Sequence, residues 1–491
     1  MQSSFADIIL PLALKTRLTY SIPVEMQGII MRGVRVLVQL RDKKVYTGVV
    51  AKVHNDTPDC ADIKPVLKVF GPDPVINNRQ LELWKWIAEY YMCCEGEVMK
   101  AAVPTALFPE GEKDAPVIEK YKPKKETFVE LNHRFSDAEL NKIFDSLRKA
   151  PRQSDILTAY LYLTGYTDNS EIKPLRKSYL LKRSGSANSH INSLVKKGIL
   201  KQLSIEVGRL QHTDNNPEQI RVLSKTQTIA YNKIRELFKE KDVVLLHGVT
   251  SSGKTEIYIH LIEEQIKQGK QVLYLLPEIA LTTQLIIRLQ KHFGNLTGIY
   301  HSRFNDQERV EIWKKVAAND PVSGYRLVLG VRSSIFLPFR NLGLVIVDEE
   351  HDTSYKQQDP SPRYQARDSA IMLAGIHKAK TILGSATPSI ESYYNAETGK
   401  YGLAELNERY GAIKLPSIIL ANSREAYRKK LMVSHFTPEL LNSIDEALDR
   451  EEQVILFQNR RGFSPYIECS ECSWIPLCKQ CAVNMTYHKS I

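Results

Sequence analysis

Residues 248–255 read Gly248, Val249, Thr250, Ser251, Ser252, Gly253, Lys254 and Thr255. Every fixed position of the phosphate-cradling pattern G-x-x-x-x-G-K-[ST] is filled. The chemistry this spacing can do is to grip a nucleoside triphosphate. The backbone N–H groups of the glycine loop, and the N-terminus of a following helix, supply fixed positive potential for phosphates. Lys254 is placed to reach the β- and γ-phosphates, and the Thr255 hydroxyl to help hold Mg²⁺. A second group, Asp348, Glu349, Glu350 and His351, carries complementary chemistry. Asp348 is the candidate to hold Mg²⁺ through water. Glu349 is the candidate general base that polarises an attacking water.

These residues need particular elements behind them. Residues 242–247 (DVVLLH) are a short apolar run of strand type, and 255–268 read as a helix. Strand, glycine loop and helix are the arrangement the phosphate motif requires. Residues 343–347 (GLVIV) form a second buried-strand run that ends at the acids. Open parallel sheets place ligands at that end of their strands. Three more loops follow short strands in the same way: 277–282 (PEIALT), Gly330 to Ser334 with Arg332 inside it, and Gly384 to Pro388 with Ser385 and Thr387. The set resembles motifs Ia, Ib, II and III of superfamily 2 helicases. Gln227 lies upstream of the glycine loop, where such proteins often read adenine.

The resemblance narrows. GVTSSGKTE, LLPEIALT, DEEHDTSYKQQ, YQARD, GSATPS and ILFQNRRGF, followed by paired CxxC motifs, resemble the PriA family of bacterial replication-restart helicases over nearly the whole chain. The resemblance implies an ATP-dependent 3′→5′ DNA helicase that recognises branched DNA at stalled forks and initiates primosome assembly. It implies branched or fork DNA and single-stranded DNA as ligands, with single-strand DNA-binding protein and primosome proteins as partners. It also implies ATP, Mg²⁺ and Zn²⁺ as cofactors, a monomeric state, and a coupling role for Ser385 and Thr387. Two other readings stand beside it. One is another superfamily 2 DNA or RNA translocase, against which the N-terminal domain and the double CxxC discriminate. The other is a non-catalytic DNA-binding and partner-docking fragment.

The expected fold is multidomain α/β. A length of 491 residues suits about three or four domains. The formal charge of +11 favours a polyanionic partner. There is no run of apolar residues long enough to span a membrane. The start, MQSSFADIILPLALK, lacks the basic region of a signal peptide. Of seven cysteines, four fall between 469 and 481, which argues for metal rather than disulfides and for a reducing cytoplasm.

Residues 1–105 read as a β-rich domain, with alternation over 34–38 and 47–53, and a helix over 81–91 whose two Trp are core. The family resemblance makes this the domain that binds a DNA 3′ end. Arg17, Leu18, Thr19 and Tyr20 align with a stretch where relatives commonly carry Phe-Asp-Tyr. Thr19 therefore stands where a carboxylate is expected, and Lys64 is the matching phosphate contact. Residues 106–135, charged and Pro-bearing, read as a linker. Residues 136–210 read as a winged helix of three short helices and a β pair. Its third helix, over 186–195, exposes Asn188, Ser189 and Asn192 to DNA or to a protein.

Residues 222–410 read as a RecA-like helicase lobe 1. Its loop 352–367 mixes Tyr355, Lys356, Arg363, Tyr364 and Arg367, which is the composition of a single-strand track. Residues 411–491 read as the start of lobe 2 with a partial zinc-binding region. A helix over 436–450 and a strand over 454–457 lead to Arg460 and Arg461. Cys469, Cys472, Cys478 and Cys481 form two CxxC pairs able to supply four thiolates to Zn²⁺. Relatives carry further Cys pairs downstream, so either one crowded site or two half-filled ones are expected. The chain reads as a C-terminally truncated helicase that binds ATP on lobe 1 and unwinds little by itself.

Overall fold

A strand that is apolar on both faces is stable only where both faces are covered. The runs around 244, 273 and 345 are of that kind, and they form the middle of one parallel sheet in a computed structural model of the chain. The structure describes residues 4–41, 44–58, 63–112, 117–118, 121–167, 171–206, 218–277, 283–301, 303–318, 320, 324–409 and 417–457, and ten positions from 467 onward. Across the sheet the strand order is Thr297–Tyr300, Leu327–Gly330, Gln271–Leu275, Leu342–Asp348, Lys380–Ser385, Val243–Gly248 and Gly402–Leu406. All six pairings are parallel. The strand leading to the glycine loop and the strand ending in the acids thus flank Lys380–Ser385, and all three strand ends open at one edge.

The two-residue period of a strand sorts the core into two layers. Val244, Leu246, Leu344 and Ile346 pack with helices Lys225–Leu237 and Lys254–Lys267. Val243, Leu245, Val345 and Val347 pack on the opposite side, with Trp313 of helix Asp306–Ala318 and Leu373 of helix Ala366–His377. The described residues between 222 and 409 thus contain the parallel-sheet motor domain that the sequence leads one to expect.

The N-terminal sheet runs Leu18–Ser21, Phe5–Ile9, Lys44–His54, Arg35–Leu40 and Val66–Val69, with antiparallel neighbours throughout. Alternate residues such as Ala6, Ile8, Val36, Val38 and Val50 close its interior. Helix Asn78–Tyr90 follows, started by a capping box in which Asn77 and Gln80 each accept from the other's backbone N–H.

The sequence places a domain boundary at 105, and a buried seam joins the two sides of it. Leu83, Trp84 and Ile87 belong to one buried cluster with Phe336, Phe339, Leu373 and Ala374 of the parallel-sheet domain. Fully burying a side chain of this kind contributes about 1.5–3 kcal/mol. Polar groups fix the register of the seam. Asn77 Nδ2 donates to the Phe339 carbonyl at 3.0 Å, Gln80 Nε2 to Phe336 at 2.8 Å, and Arg79 Nη1 to Arg340 at 2.5 Å.

The winged helix has its own core, built on Val129, Leu131, Ile156, Tyr160, Ile191 and Leu194. It differs from expectation in two ways. Strand Lys125–Leu131, within the stretch read as linker, pairs with Leu200–Glu206 along its whole length. Among the described residues there are four helices rather than three: Asp137–Ser146, Pro151–Thr164, Lys177–Ser184 and Asn188–Lys196. A Thr-Phe-Val-Glu-Leu alternation sits beneath the charged linker composition, and the pairing partner 75 residues away makes it a strand.

Residues 414–491 form a second compact unit. Thr437 caps helix Pro438–Asp449, whose first residue is the Pro that favours that position. The expected strand over 454–457 is irregular, and Ile455 and Phe457 are exposed. A strand needs a neighbour for its backbone groups, and among the described residues these have none. No helix among the described residues is long and apolar enough to cross a membrane.

Candidate functional site

The Val243–Gly248 strand delivers the glycine loop, and helix Lys254–Lys267 leaves it. Gly253, the N-cap, has φ 85, and a Cβ there would lie 2.2 Å from Gln227 Nε2. Glycine is required by both facts. Ser251 is also left-handed, at φ 62, which a side-chain-bearing residue adopts only under local constraint. The Lys254 ammonium folds back to the Gly248 carbonyl at 2.8 Å. Ser252 Oγ is buried without a partner among the described residues. An orphaned hydroxyl and a folded-back ammonium inside a loop of N–H donors suit a phosphate chain.

Gln227 sits against this loop, only 2% exposed. Its Oε1 accepts from the Ser224 N–H at 2.9 Å in a capping box, and its Nε2 donates to the Ser252 carbonyl at 3.3 Å. The side chain expected to read a base braces the loop in this structure. The cavity beside it measures about 450 Å³ and is lined by Gln227, residues 250–256, Arg288, Asp348 and Glu349. Residues far apart in the chain, both acids among them, are thereby brought to the loop. Val249 lies just outside, its N–H bonded to the Leu406 carbonyl at 3.1 Å.

Asp348 ends the Leu342–Asp348 strand. Tyr258 and Tyr274 donate to its two carboxylate oxygens at 3.2 and 3.0 Å. Burial raises the Asp348 pKa and the neighbouring Glu349 adds to it, while the Tyr274 hydroxyl and the Lys254 ammonium oppose the rise. Glu349 has φ 48, a left-handed turn that ends the strand and aims its half-exposed side chain toward the cavity. His351 Nδ1 meets Ser385 Oγ at 2.7 Å, and that oxygen also accepts from the Thr387 N–H at 3.0 Å. The coupling loop and the acids are thus directly joined.

Sequence reasoning gave no individual role to Glu350, which is wholly buried. It accepts from the Ser389 N–H at 2.6 Å, the Ser389 hydroxyl at 3.0 Å, the Ser392 hydroxyl at 2.9 Å and Arg367 Nη1 at 3.0 Å. Sequence reasoning passed over Tyr258, Tyr274 and Arg288, the last of which is paired with Glu256. Helical and strand periodicity assign Tyr258 and Tyr274 to the core, and only their hydroxyls reveal the site.

The loop after the acids corrects the expectation of an aromatic track. Tyr355 and Tyr364 are each 1% exposed and cannot stack on a base. The Tyr355 hydroxyl donates to the Asp348 carbonyl at 2.6 Å, and the Tyr364 ring packs edge-on against Phe336 at 5.2 Å. Arg367 is held by Glu350 and Asp368. Arg332 donates to the Ser354 and Lys356 carbonyls, both at 3.1 Å, so it props the loop from behind. Lys356 lies over the Tyr91 ring at 5.2 Å, half-buried with its Nζ on the Arg363 carbonyl, whereas Arg363, paired with Asp359, is exposed. Aromatic composition favours a track and an interior equally, and the tertiary packing selects the interior.

The N-terminal candidates do converge. Thr19 and Lys64 line one cavity of about 320 Å³, together with Arg17, Tyr20, Gln39 and Arg41. Lys64 Nζ donates to the Arg41 carbonyl at 2.9 Å. The Thr19 hydroxyl donates to Asp7 at 2.8 Å, across the strand pair that sets the two residues opposite one another. A carboxylate absent from position 19 therefore stands next to it, supplied by the first strand. At the other end of the chain, the Cys472 and Glu471 N–H groups lower the Cys469 thiol pKa, the direction that favours thiolate. Cys478, Cys481, Arg460, Arg461 and residues 278–282 lie outside the described residues. Among those described, no cluster of three or more His, Cys, Asp or Glu side chains is positioned to hold a metal ion.

Three family models match consecutive stretches. Residues 7–104 match the PriA 3′DNA-binding domain, 126–207 the winged helix domain of the PriA helicase of Bacteroidota, and 224–396 the DEAD/DEAH box helicase. The replication restart protein PriA of Bacillus subtilis is 31% identical over 541 residues, covering 99% of this chain and 66% of that protein. Its counterpart in Chlamydia trachomatis is 32% identical, covering 99% of this chain and 62% of that protein. The chain thus spans slightly less than two thirds of the length of these curated relatives. Among solved structures it is similar to RecG bound to a three-way DNA junction, 20% identical at a TM-score of 0.30 over 41% of this chain and 27% of that one.

Proposed function

The chain belongs to the PriA family of replication restart proteins, and from that premise we propose that it is a DNA-dependent ATP hydrolase whose motor serves a 3′→5′ helicase. Its substrate is branched DNA at stalled replication forks, its role is to initiate primosome assembly in the cytoplasm, and it works as a monomer. The observation that carries the reading is one cavity that holds the glycine loop, Lys254, Asp348 and Glu349 together. The Thr19–Lys64 cavity supports recognition of a DNA 3′ end, with Lys64 on a phosphate and Thr19, backed by Asp7, on the terminal hydroxyl.

In this reading the loop N–H groups and Lys254 bind the β- and γ-phosphates, which requires the ammonium to leave the Gly248 carbonyl. Thr255 and Asp348 hold Mg²⁺, which when bound supplies positive charge to the transferring phosphate. Glu349 orients the attacking water and takes its proton. Ser385, through His351, reports the state of the acids to the loop that carries Thr387. Lys356 and Arg363 supply phosphate contacts for single-stranded DNA, and Arg332 shapes that loop. Gln227 reads adenine after releasing Ser252. Single-strand DNA-binding protein and primosome proteins are the expected partners. Cys469, Cys472, Cys478 and Cys481 are the proposed Zn²⁺ ligands, supported by their spacing.

The test is to titrate a fluorescent ATP analogue and forked DNA into the same preparation. The chain should bind both. Lys254→Ala should abolish nucleotide binding and leave fork binding intact. Equal nucleotide affinity in the variant would falsify the reading.

A further inference from the structure

Resting on the assignment of Mg²⁺ to Asp348, we propose that Tyr258 and Tyr274 are positioning residues that hold this carboxylate in one orientation with one lone pair open, so that the site accepts Mg²⁺ and rejects Ca²⁺. The geometry is specific. A carboxylate offers about four acceptor sites. Tyr258 takes one on Oδ1 at 3.2 Å, the Glu349 N–H takes a second on Oδ1 at 3.2 Å, and Tyr274 takes one on Oδ2 at 3.0 Å. One site on Oδ2 is left.

Both phenols are enclosed by the core. Each is 0% exposed, and their rings meet edge-on with centroids 5.6 Å apart and planes at 77°. The two tyrosines come from different elements, Tyr258 from the helix behind the glycine loop and Tyr274 from the neighbouring strand. The two phenols thus converge on one carboxylate from two different elements.

Gly384 supplies a third, independent observation. A Cβ at this position would lie 1.7 Å from the Tyr258 hydroxyl and 3.3 Å from Asp348 Oδ1. Its φ is not left-handed, so the backbone makes no demand for glycine. The space is needed by the phenol.

The cation preference follows from coordination chemistry. Mg²⁺ keeps several waters and takes one or two carboxylate contacts, whereas Ca²⁺ takes six to eight oxygens and often a bidentate carboxylate. With Oδ1 saturated and Oδ2 half used, a bidentate contact would break a buried hydrogen bond. A water-bridged contact would break none.

The experiment measures binding of a fluorescent ADP analogue to the whole chain as Mg²⁺ or Ca²⁺ is titrated, for wild type, Tyr258→Phe, Tyr274→Phe and the double variant. Loss of a group that orients a metal ligand typically weakens metal affinity ~10–100-fold. The variants should need at least ~10-fold more Mg²⁺ for half-saturation. Ca²⁺ should gain on Mg²⁺, most in the double variant, while nucleotide binding without divalent ion stays unchanged. Gly384→Ala, which displaces the phenol without removing it, should shift the Mg²⁺ response in the same direction as Tyr258→Phe. Variants that titrate like wild type in both ions overturn the inference. So does a joint fall in metal-free nucleotide binding and melting temperature, the mark of a merely structural role. If wild type binds nucleotide with no response to Mg²⁺, the assignment of Mg²⁺ to this cavity fails and takes the inference with it.

Discussion

His351 Nδ1 lies 2.7 Å from Ser385 Oγ, and this contact joins the ends of two adjacent parallel strands, one bearing the acids and the other the Ser-Ala-Thr loop. Neither residue lines the nucleotide cavity. Ser385→Ala should therefore leave nucleotide affinity unchanged and lower DNA-stimulated hydrolysis about tenfold, the equivalent of one hydrogen bond of ~1.4 kcal/mol. Steady-state ATPase with and without single-stranded DNA reads the difference. A variant that loses nucleotide affinity instead would place Ser385 in binding rather than coupling.

Glu350 and Arg367 form a pair in which the acid is 0% and the base 13% exposed. Breaking a buried pair from one side leaves a charge uncompensated, at about 3–5 kcal/mol. Glu350→Gln should approach that cost, moderated because the amide oxygen can still accept from Ser389. Arg367→Gln should cost a similar amount, and the double variant less than the sum. Denaturant unfolding of all four proteins gives the coupling energy directly. Additive losses would mean that the two side chains act independently.

His377 is buried at the seam between helix Asn78–Tyr90 and the parallel-sheet domain, with Arg79 Nη1 3.3 Å from its Nδ1. Burial, and next the Arg79 charge, lower its pKa from 6.5 to about 4. Between these values the unfolded chain binds the proton and the folded chain does not, so stability rises with pH through that window. Acidification from pH 6.5 to 4 should thus cost on the order of 3 kcal/mol from this group. His377→Gln should flatten the pH dependence of unfolding in that range. An unchanged slope would remove His377 as its source.

Lys64 shares the N-terminal cavity with Thr19 and is proposed to meet a phosphate. Lys64→Ala should weaken binding of a DNA 3′ end and lower the slope of log affinity against log salt by about 0.7, the contribution of one single-strand phosphate. Fluorescence anisotropy at several salt concentrations measures both. A weaker affinity with an unchanged slope would mean that Lys64 acts on the cavity wall, through its bond to the Arg41 carbonyl.

Local signals made the nucleotide site readable in advance. Gly253 and Lys254 hold the spacing of a phosphate-cradling loop, and Asp348 follows an uninterrupted apolar run. Longer-range facts were hidden. Tyr355 and Tyr364 carry the same side chains whether they stack on a base or fill a core, and only Phe336 and the Asp348 carbonyl decide between these. Thr19 looks like the loss of an acid until strand pairing sets Asp7 opposite it. Strand Lys125–Leu131 sits in a charged stretch, and the segment that makes it a strand is Leu200–Glu206. The expected strand over 454–457 shows the converse, since apolar composition alone does not provide a neighbour.

The shared core of helix Asn78–Tyr90 and the parallel sheet bears on how the chain can be divided. A cut near residue 105 or 222 would look natural from composition, and the winged helix with its closed interior would survive excision. The piece that keeps the nucleotide cavity would not be intact. It would present the surface around Phe336, Phe339 and Leu373 to water, stripped of Leu83, Trp84 and Ile87. A piece that keeps both the candidate nucleotide cavity and this covered core therefore draws on two separated stretches of sequence, one of them lying inside what reads as the DNA-binding domain.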